Sequence, residues 1–221
     1  MIALTSNLPF ENPNIAANYE TWYLTEGEKA ASQEKSLIKL LLSRYDRART
    51  ILEVGSGTGY FSHWMEELGY EIYALDISRV MIREADRNHH LTCIQGDAMA
   101  LPFPSQSFDL TVMITTLEFI SDPFLVLSES LRVACQGLIL GVINRHSLLG
   151  WRNRQKGGPI WGTAKFYTPR ELIRLVSSFT SEQDEINYKT TLWPFFPGSS
   201  KLPWGGFIGL SVKLSSNGGS R

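Results

Sequence analysis

Cysteine is nearly absent from the chain: Cys93 and Cys135 are the only two among 221 residues. Their spacing fits neither a disulfide framework nor a metal site, so both are expected to be buried free thiols beside predicted strands. Histidine is almost as scarce. The four histidines form no HxxxH pattern. His89 and His90, adjacent in sequence, point different ways and read as surface, so no metal is expected. No apolar run approaches the ~20 residues of a membrane span. Met1 to Asn14 has no basic stretch followed by an apolar block, which disfavours a signal peptide and makes the protein cytoplasmic by expectation. An excess of one charge is also missing. With 21 Lys+Arg against 22 Asp+Glu, nothing favours a phosphate backbone, and no nucleic-acid partner is expected. One local exception is Arg145, His146, Arg152, Arg154 and Lys156, which cluster in sequence as a solvated loop or a binding patch. No repeat, low-complexity tract or linker divides the chain, so residues 1–221 are expected to form one domain.

What is present is organised around Ile51-Leu-Glu-Val-Gly-Ser-Gly-Thr-Gly-Tyr60. Ile51 to Val54 reads as the end of a buried strand. Three glycines follow at alternate positions, and then the helical pattern Tyr60 to Leu68. A strand, a glycine turn and a helix make a nucleotide-binding βα unit, where backbone can approach a ligand closely. Further strands are predicted at Glu71 to Leu75, ending at Asp76, and at Leu91 to Gln95, ending at Gly96-Asp97. Others follow at Phe108 to Ile114, Gly137 to Ile143, Glu185 to Leu192 and Gly206 to Leu214. Helices start at Ser78, at Asp122-Pro123 and at Thr168-Pro-Arg-Glu171, each with a cap residue in place. This alternation predicts an α/β fold: a doubly wound, mainly parallel seven-stranded sheet with ligands beyond the strands' carboxyl ends.

Outside the alternation the pattern is weaker. Residues 1–18 look irregular, and an amphipathic helix is predicted over Ser32 to Tyr45, so residues 1–45 read as an N-terminal helical cap. Residues 144–162 read as a long functional loop. With the helix after Thr168 and a C-terminal hairpin, they complete an acceptor side over 144–221. Residues 215–221 are expected to be frayed.

The glycine spacing narrows the ligand. A dinucleotide site needs GxGxxG, yet the third such position is Tyr60, and the third glycine is Gly59. Glu53 would repel a diphosphate there but suits a cation. Asp76, 21 residues after Gly55, matches an acceptor for ribose hydroxyls. A ribose, no pyrophosphate and a cationic part together describe S-adenosylmethionine.

On these residues the chain resembles the class I S-adenosylmethionine-dependent methyltransferases, in the broad small-molecule group often called type 11, whose sheet is Rossmann-like. Glu53 to Gly59 matches the family's first motif, Asp76 its acidic end of strand two. Gly96-Asp97-Ala98 and Leu101 to Asp109 match the segment between strands three and four. The resemblance runs from about Thr50 to Ile143, with Gln136-Gly137 departing from the fuller Pro-Gly-Gly turn of many members. It implies a cofactor-binding core over 50–143. Glu53 would face the methionine ammonium, and Gly55, Ser56, Gly57 and Gly59 would lie along methionine and ribose. Asp76 would take both ribose hydroxyls, Ile77 the adenine face, and Asp97 with Ala98 the adenine amino edge. Thr115 and Leu117 would line the methionine end, and Tyr19 would cap the cofactor. S-adenosylhomocysteine would be the product.

Methyl transfer from a sulfonium expels a neutral leaving group, so alignment and exclusion of water carry most of the catalysis. A base is needed only for an acidic or weakly nucleophilic acceptor. Glu118 and His146 are the candidates, and a reaction without a dedicated base is the favoured reading. Trp22, Tyr23, Trp151 and Trp161 either line an acceptor pocket or are simply packed; Phe195, Phe196 and Trp204 raise the same question. A small, partly apolar acceptor is expected. The alternatives are a non-catalytic cofactor-binding sensor or assembly protein and an NAD-dependent oxidoreductase.

Overall fold

The computed structural model describes residues 9–194 and 197–215. Two helices precede the first strand, α1 (Pro13–Leu24) and α2 (Glu28–Leu42). α1 overturns the expectation of an irregular N-terminus. Asn12 caps it, accepting from the Asn14 amide at 2.9 Å, and Pro13 sits in the first turn. An asparagine followed by proline is a helix start, but α1 buries only Ala16 and Tyr23, so its sequence shows almost no apolar stripe.

The alternating part follows as β1 (Thr50–Val54), α3 (Tyr60–Glu67), β2 (Glu71–Asp76), α4 (Arg79–His89), β3 (Thr92–Gln95) and β4 (Phe108–Ile114). After it come α5 (Pro123–Val133) and β5 (Ala134–Ile143). Then the expected long loop proves to be helical, α6 (Leu148–Lys156) and α7 (Gly158–Trp161). Ser147 caps α6 by accepting from the Gly150 amide at 3.0 Å. Only Gly150 and Asn153 of α6 are buried, so no apolar periodicity marks it in the sequence. The chain closes with α8 (Pro169–Ser177), β6 (Glu185–Thr191) and β7 (Phe207–Lys213). α8 begins with the expected capping box between Thr168 and Glu171.

The seven strands form one sheet in the order β3-β2-β1-β4-β5-β7-β6. β1 to β5 run parallel, while β7 is antiparallel to both β5 and β6. The order reverses between β1 and β4, which opens a crevice at the carboxyl ends. One face is covered by α5 and α8 through Val126, Leu127, Leu172 and Val176, and the other by α2 through Leu37, Ile38, Leu41 and Leu42. Burying each such aliphatic side chain contributes ~1.5–3 kcal/mol. At the sheet's opposite end, Asp109 accepts from the Arg49 and Thr50 amides at 2.7 and 3.0 Å and clamps β1 to β4.

Two expectations about side chains fail. Cys93 is half-buried and Cys135 exposed, although both are free thiols. His89 is not a surface residue: its Nε2 lies 2.7 Å from Glu20 on α1, and its ring stacks on His63. Tertiary packing of α1 on α4, invisible locally, covers it.

Candidate functional site

The loop from Gly55 to Gly59 lies across the end of β2. The Gly55 and Ser56 amides both donate to the Leu75 carbonyl, at 2.7 and 3.0 Å. Asp76 fastens the arrangement, with Oδ2 accepting from the Gly57 amide and Oδ1 from the Ser78 amide, each at 2.8 Å. Burial raises the Asp76 pKa, and these amides act against it. Each oxygen keeps acceptor capacity for a ligand hydroxyl. Gly55 has φ +76°, and a Cβ there would stand 2.1 Å from Thr116 Cγ2. Gly57 has φ +56° and meets nothing nearer than Tyr19 Cε1 at 3.9 Å. Gly55 is therefore glycine for packing and φ together, and Gly57 leaves open backbone beside a cavity.

Glu53 is buried, and the Ser62 hydroxyl donates to its Oε2. Burial pushes its pKa up to about 8, with Ser62 opposing and Asp76 adding to the rise. Nearby, Ser56 Oγ and Thr58 Oγ1 are buried without a partner. Across the crevice Thr115 holds φ +51°, an outlier for a β-branched residue that marks stored strain. Its amide donates to the Gly141 carbonyl at 2.7 Å, and the Thr116 hydroxyl donates to the Gly55 carbonyl at 3.1 Å.

These groups border a cavity of about 430 Å³, in the usual range for a small-molecule site. Of the sequence-predicted residues, Tyr19, Tyr23, Glu53, Gly55, Ser56, Gly57, Asp76, Ile77, Asp97, Ala98 and Thr115 line it. Thr58, Thr116, Phe10 and Phe119 line it too, and the sequence reading missed them. Thr58 and Thr116 lie inside or beside motifs already in hand. Phe10 carries no local signal; it arrives by packing edge-on against Phe119, ring centres 4.9 Å apart, and against Tyr19 at 6.3 Å. Tyr23 in turn stacks on Tyr60 at 4.5 Å, so linked aromatic rings form one wall of the cavity.

The remaining candidates lie elsewhere. A Cβ on Gly59 would stand 2.5 Å from Leu91 and 3.2 Å from Ala85, so this glycine serves the packing of α4. Leu117 belongs to the core. His146 is exposed, far from a base's environment. Trp22 and Trp151 are 45% and 52% exposed and form no pocket wall. Trp161 sits one ring behind the wall, packing on Phe166 and Phe119 at 6.1 and 6.2 Å. Phe195 and Phe196 lie outside the described residues.

Glu118 is fully buried but does not line the cavity. Its Oε1 accepts from the Ile143 amide at 2.7 Å, and its Oε2 has no partner. Burial pushes it up to about 8, with the Ile143 amide opposing. Glu34 on α2 is pushed up to about 7, also by burial. Tyr19 rises to about 12, from burial first, against the Tyr23 hydroxyl, with Glu34, Glu118 and Asp76 adding. Among the described residues no group of three or more His, Cys, Asp or Glu is placed to hold a metal ion.

Comparison with known proteins agrees with this geometry. Residues 52–140 match the family described as a methyltransferase domain. A solved S-adenosylmethionine-dependent methyltransferase from Thermotoga maritima is 25% identical, with a TM-score of 0.76 over 92% of this chain and 98% of that one. An uncharacterised protein of Mycobacterium tuberculosis is 31% identical over 73% of this chain; the chain spans 56% of that relative's length. The malonyl-[acyl-carrier protein] O-methyltransferase of Erwinia billingiae is 37% identical over 41% of this chain and 37% of its own. The sheet order, the domain match over residues 52–140 and these neighbours are consistent with a class I S-adenosylmethionine-dependent methyltransferase of the type 11 group.

The residues present fit that methyl donor. A buried carboxylate, Glu53, faces the cavity with only a hydroxyl for company. Two orphaned hydroxyls and the bare backbone of Gly57 stand beside it. A cationic amine and a ribose would answer these groups; a diphosphate would find no basic side chain among the described lining residues.

Proposed function

We propose that the chain methylates a small, partly apolar acceptor, taken between α1 and the segment from Thr115 to Ser121. The carrying observation is the aromatic lining of Phe10, Tyr19, Tyr23 and Phe119 in a cavity that Glu53, Asp76 and the glycine loop also line. Glu53 would hold the methionine ammonium, Asp76 the ribose hydroxyls, and Asp97 with Ala98 the adenine edge. The bound donor supplies a methyl group on a sulfonium, which leaves a neutral thioether. The chain's own part is to align the acceptor and keep water out. Phe10 and Tyr19 line the cavity, and Phe10 packs edge-on against both Tyr19 of α1 and Phe119. Orientation of this kind contributes up to ~7–11 kcal/mol. No basic side chain lines the cavity among the described residues, which agrees with an acceptor lacking phosphates.

The Erwinia relative is named for methylation of malonyl-[acyl-carrier protein], and it supports a non-nucleic-acid substrate here. No helix among the described residues is long and apolar enough to cross a membrane, in keeping with a cytoplasmic reaction by a single domain. Titration calorimetry with S-adenosylmethionine, S-adenosylhomocysteine and NAD tests the donor; binding of NAD alone would overturn it. Release of S-adenosylhomocysteine across a panel of small alcohols, carboxylic acids, amines and quinols tests the acceptor. Donor binding with no turnover on any of them would favour the non-catalytic reading.

A further inference from the structure

The balanced total charge hides a segregation. Residues 1–143 hold 10 Lys+Arg against 18 Asp+Glu, and residues 144–221 hold 11 against 4. No acid occurs from 144 to 170 or from 186 to 221. The structure shows where part of this basic surplus goes. Arg152, Arg154 and Lys156 are exposed on α6, and Lys201 is exposed on the turn before β7.

The same two segments carry large apolar side chains in solvent. Leu148 and Trp151, three residues apart on one face of α6, are 58% and 52% exposed. Leu202 and Trp204 are 49% and 61% exposed. Asn144 joins the two segments, its side-chain amide donating to the Pro203 and Gly205 carbonyls at 2.7 and 2.8 Å. Its own carbonyl accepts from Ser147, the cap of α6. A Cβ on Gly206 would stand 3.4 Å from Leu149 Cβ, so α6 and the turn are direct neighbours. Two adjoining segments thus expose two leucines and two tryptophans, and the charged residues on both segments are cationic.

We propose that this face, α6 with the Lys201 to Trp204 turn, docks the protein peripherally on an anionic lipid bilayer. Tryptophan and leucine enter the boundary between headgroups and acyl chains, where an amphipathic ring or aliphatic chain is stable, and lysine and arginine engage the lipid phosphates. Aliphatic Leu148 and Leu202 would gain nothing on a nucleic-acid backbone, which favours the bilayer. The face is linked to the cavity wall through α7. α7 follows α6 directly, its Trp161 packs on Phe119 of the cavity wall, and Lys165 Nζ donates to the Ser121 carbonyl at 3.1 Å. Docking would therefore set the acceptor entrance near the lipid surface. The inference stands on the surface alone and does not depend on which acceptor is methylated.

The test is co-sedimentation of the full chain with two kinds of vesicle. One is phosphatidylcholine alone; the other is equal parts phosphatidylcholine and phosphatidylglycerol. At least fivefold more protein should pellet with the anionic vesicles, and rising salt should release it. Two surface variants should each lose about tenfold in binding: Trp151→Ala with Trp204→Ala, and Arg152→Glu with Arg154→Glu and Lys156→Glu. Both should keep wild-type affinity for S-adenosylmethionine, which shows that they are folded and separates this inference from the donor assignment. Equal binding to both vesicles, or none, overturns the proposal. So does anionic binding that survives the tryptophan substitutions. Duplex DNA binding without vesicle binding would give the face to nucleic acid. A dimer that these substitutions dissociate, with no vesicle binding, would give it to a second copy of the chain. Either result also overturns the proposal.

Discussion

Glu53 in β1 and Glu118 just after β4 are both closed off from solvent, and burial pushes both up to about 8. They differ in what they face. Glu53 looks into the cavity and is held by a single hydroxyl that can turn aside. Glu118 is a strut. Its side chain takes the Ile143 amide at the end of β5, and its backbone carbonyl takes the Lys165 amide at 2.7 Å. Two acids with the same perturbation therefore have different uses. A raised pKa records burial; only an open volume beside the group makes it a ligand for something else.

The comparison can be broken most sharply at the residue that supports the Glu53 side. Asp76→Ala removes the acceptor for the Gly57 and Ser78 amides as well as the proposed ribose contact. Affinity for S-adenosylmethionine should fall about a hundredfold, or about 2.8 kcal/mol, by calorimetry. An unchanged affinity would place the ribose elsewhere. Glu53→Gln keeps a partner for Ser62 but loses the charge. It should cost about tenfold for S-adenosylmethionine and S-adenosylhomocysteine and nothing for adenosine, which lacks the ammonium.

The same acid predicts a pH effect. Free Glu53 is largely protonated at pH 7, and pairing with an ammonium lowers its pKa, so donor binding should release a proton. Calorimetry in buffers of different ionisation heat would show it, and donor affinity should rise between pH 6 and 8.

Glu118→Gln should leave donor affinity within twofold and act on stability instead. The folded pKa of Glu118 lies above the ordinary 4.5, so the folded state holds the proton more tightly than the unfolded chain. Its contribution is fullest below about pH 4.5 and is lost as pH rises through 8. The wild-type melting temperature should drop from pH 5 to 8.5, and the glutamine variant should drop less. A large loss of donor affinity would move Glu118 into the site. The smallest effect belongs to Ser56→Ala. Its unpartnered hydroxyl is worth ~0.5–1.5 kcal/mol once a ligand engages it, a few-fold change in affinity.

Legibility followed the kind of signal. The five parallel strands and the residues at their ends could be read because buried strands are short apolar runs, and glycine or aspartate must stand where the chain turns against a ligand. Helices α1 and α6 could not, since each buries only two residues and so leaves no apolar period. Trp151 and His146 looked like site residues from sequence alone. Both are exposed, Trp151 on α6 and His146 ahead of its cap, while Phe10, with no local mark, meets the cavity by packing on Tyr19 of α1.

The sequence by itself therefore determined the sheet, the glycine loop and the cationic, ribose-bearing donor. Each is written in short stretches of sequence: Glu53 precedes the turn, Asp76 ends the next strand, and Gly57 has no side chain to fill the space. Only the tertiary structure decided which aromatics form the wall, which buried acid faces the cavity, and that two adjoining basic segments expose two leucines and two tryptophans. Those outcomes depend on contacts between residues distant in sequence, from Asn144 with Pro203 to Phe10 with Phe119, and long-range packing leaves no period or motif in the chain.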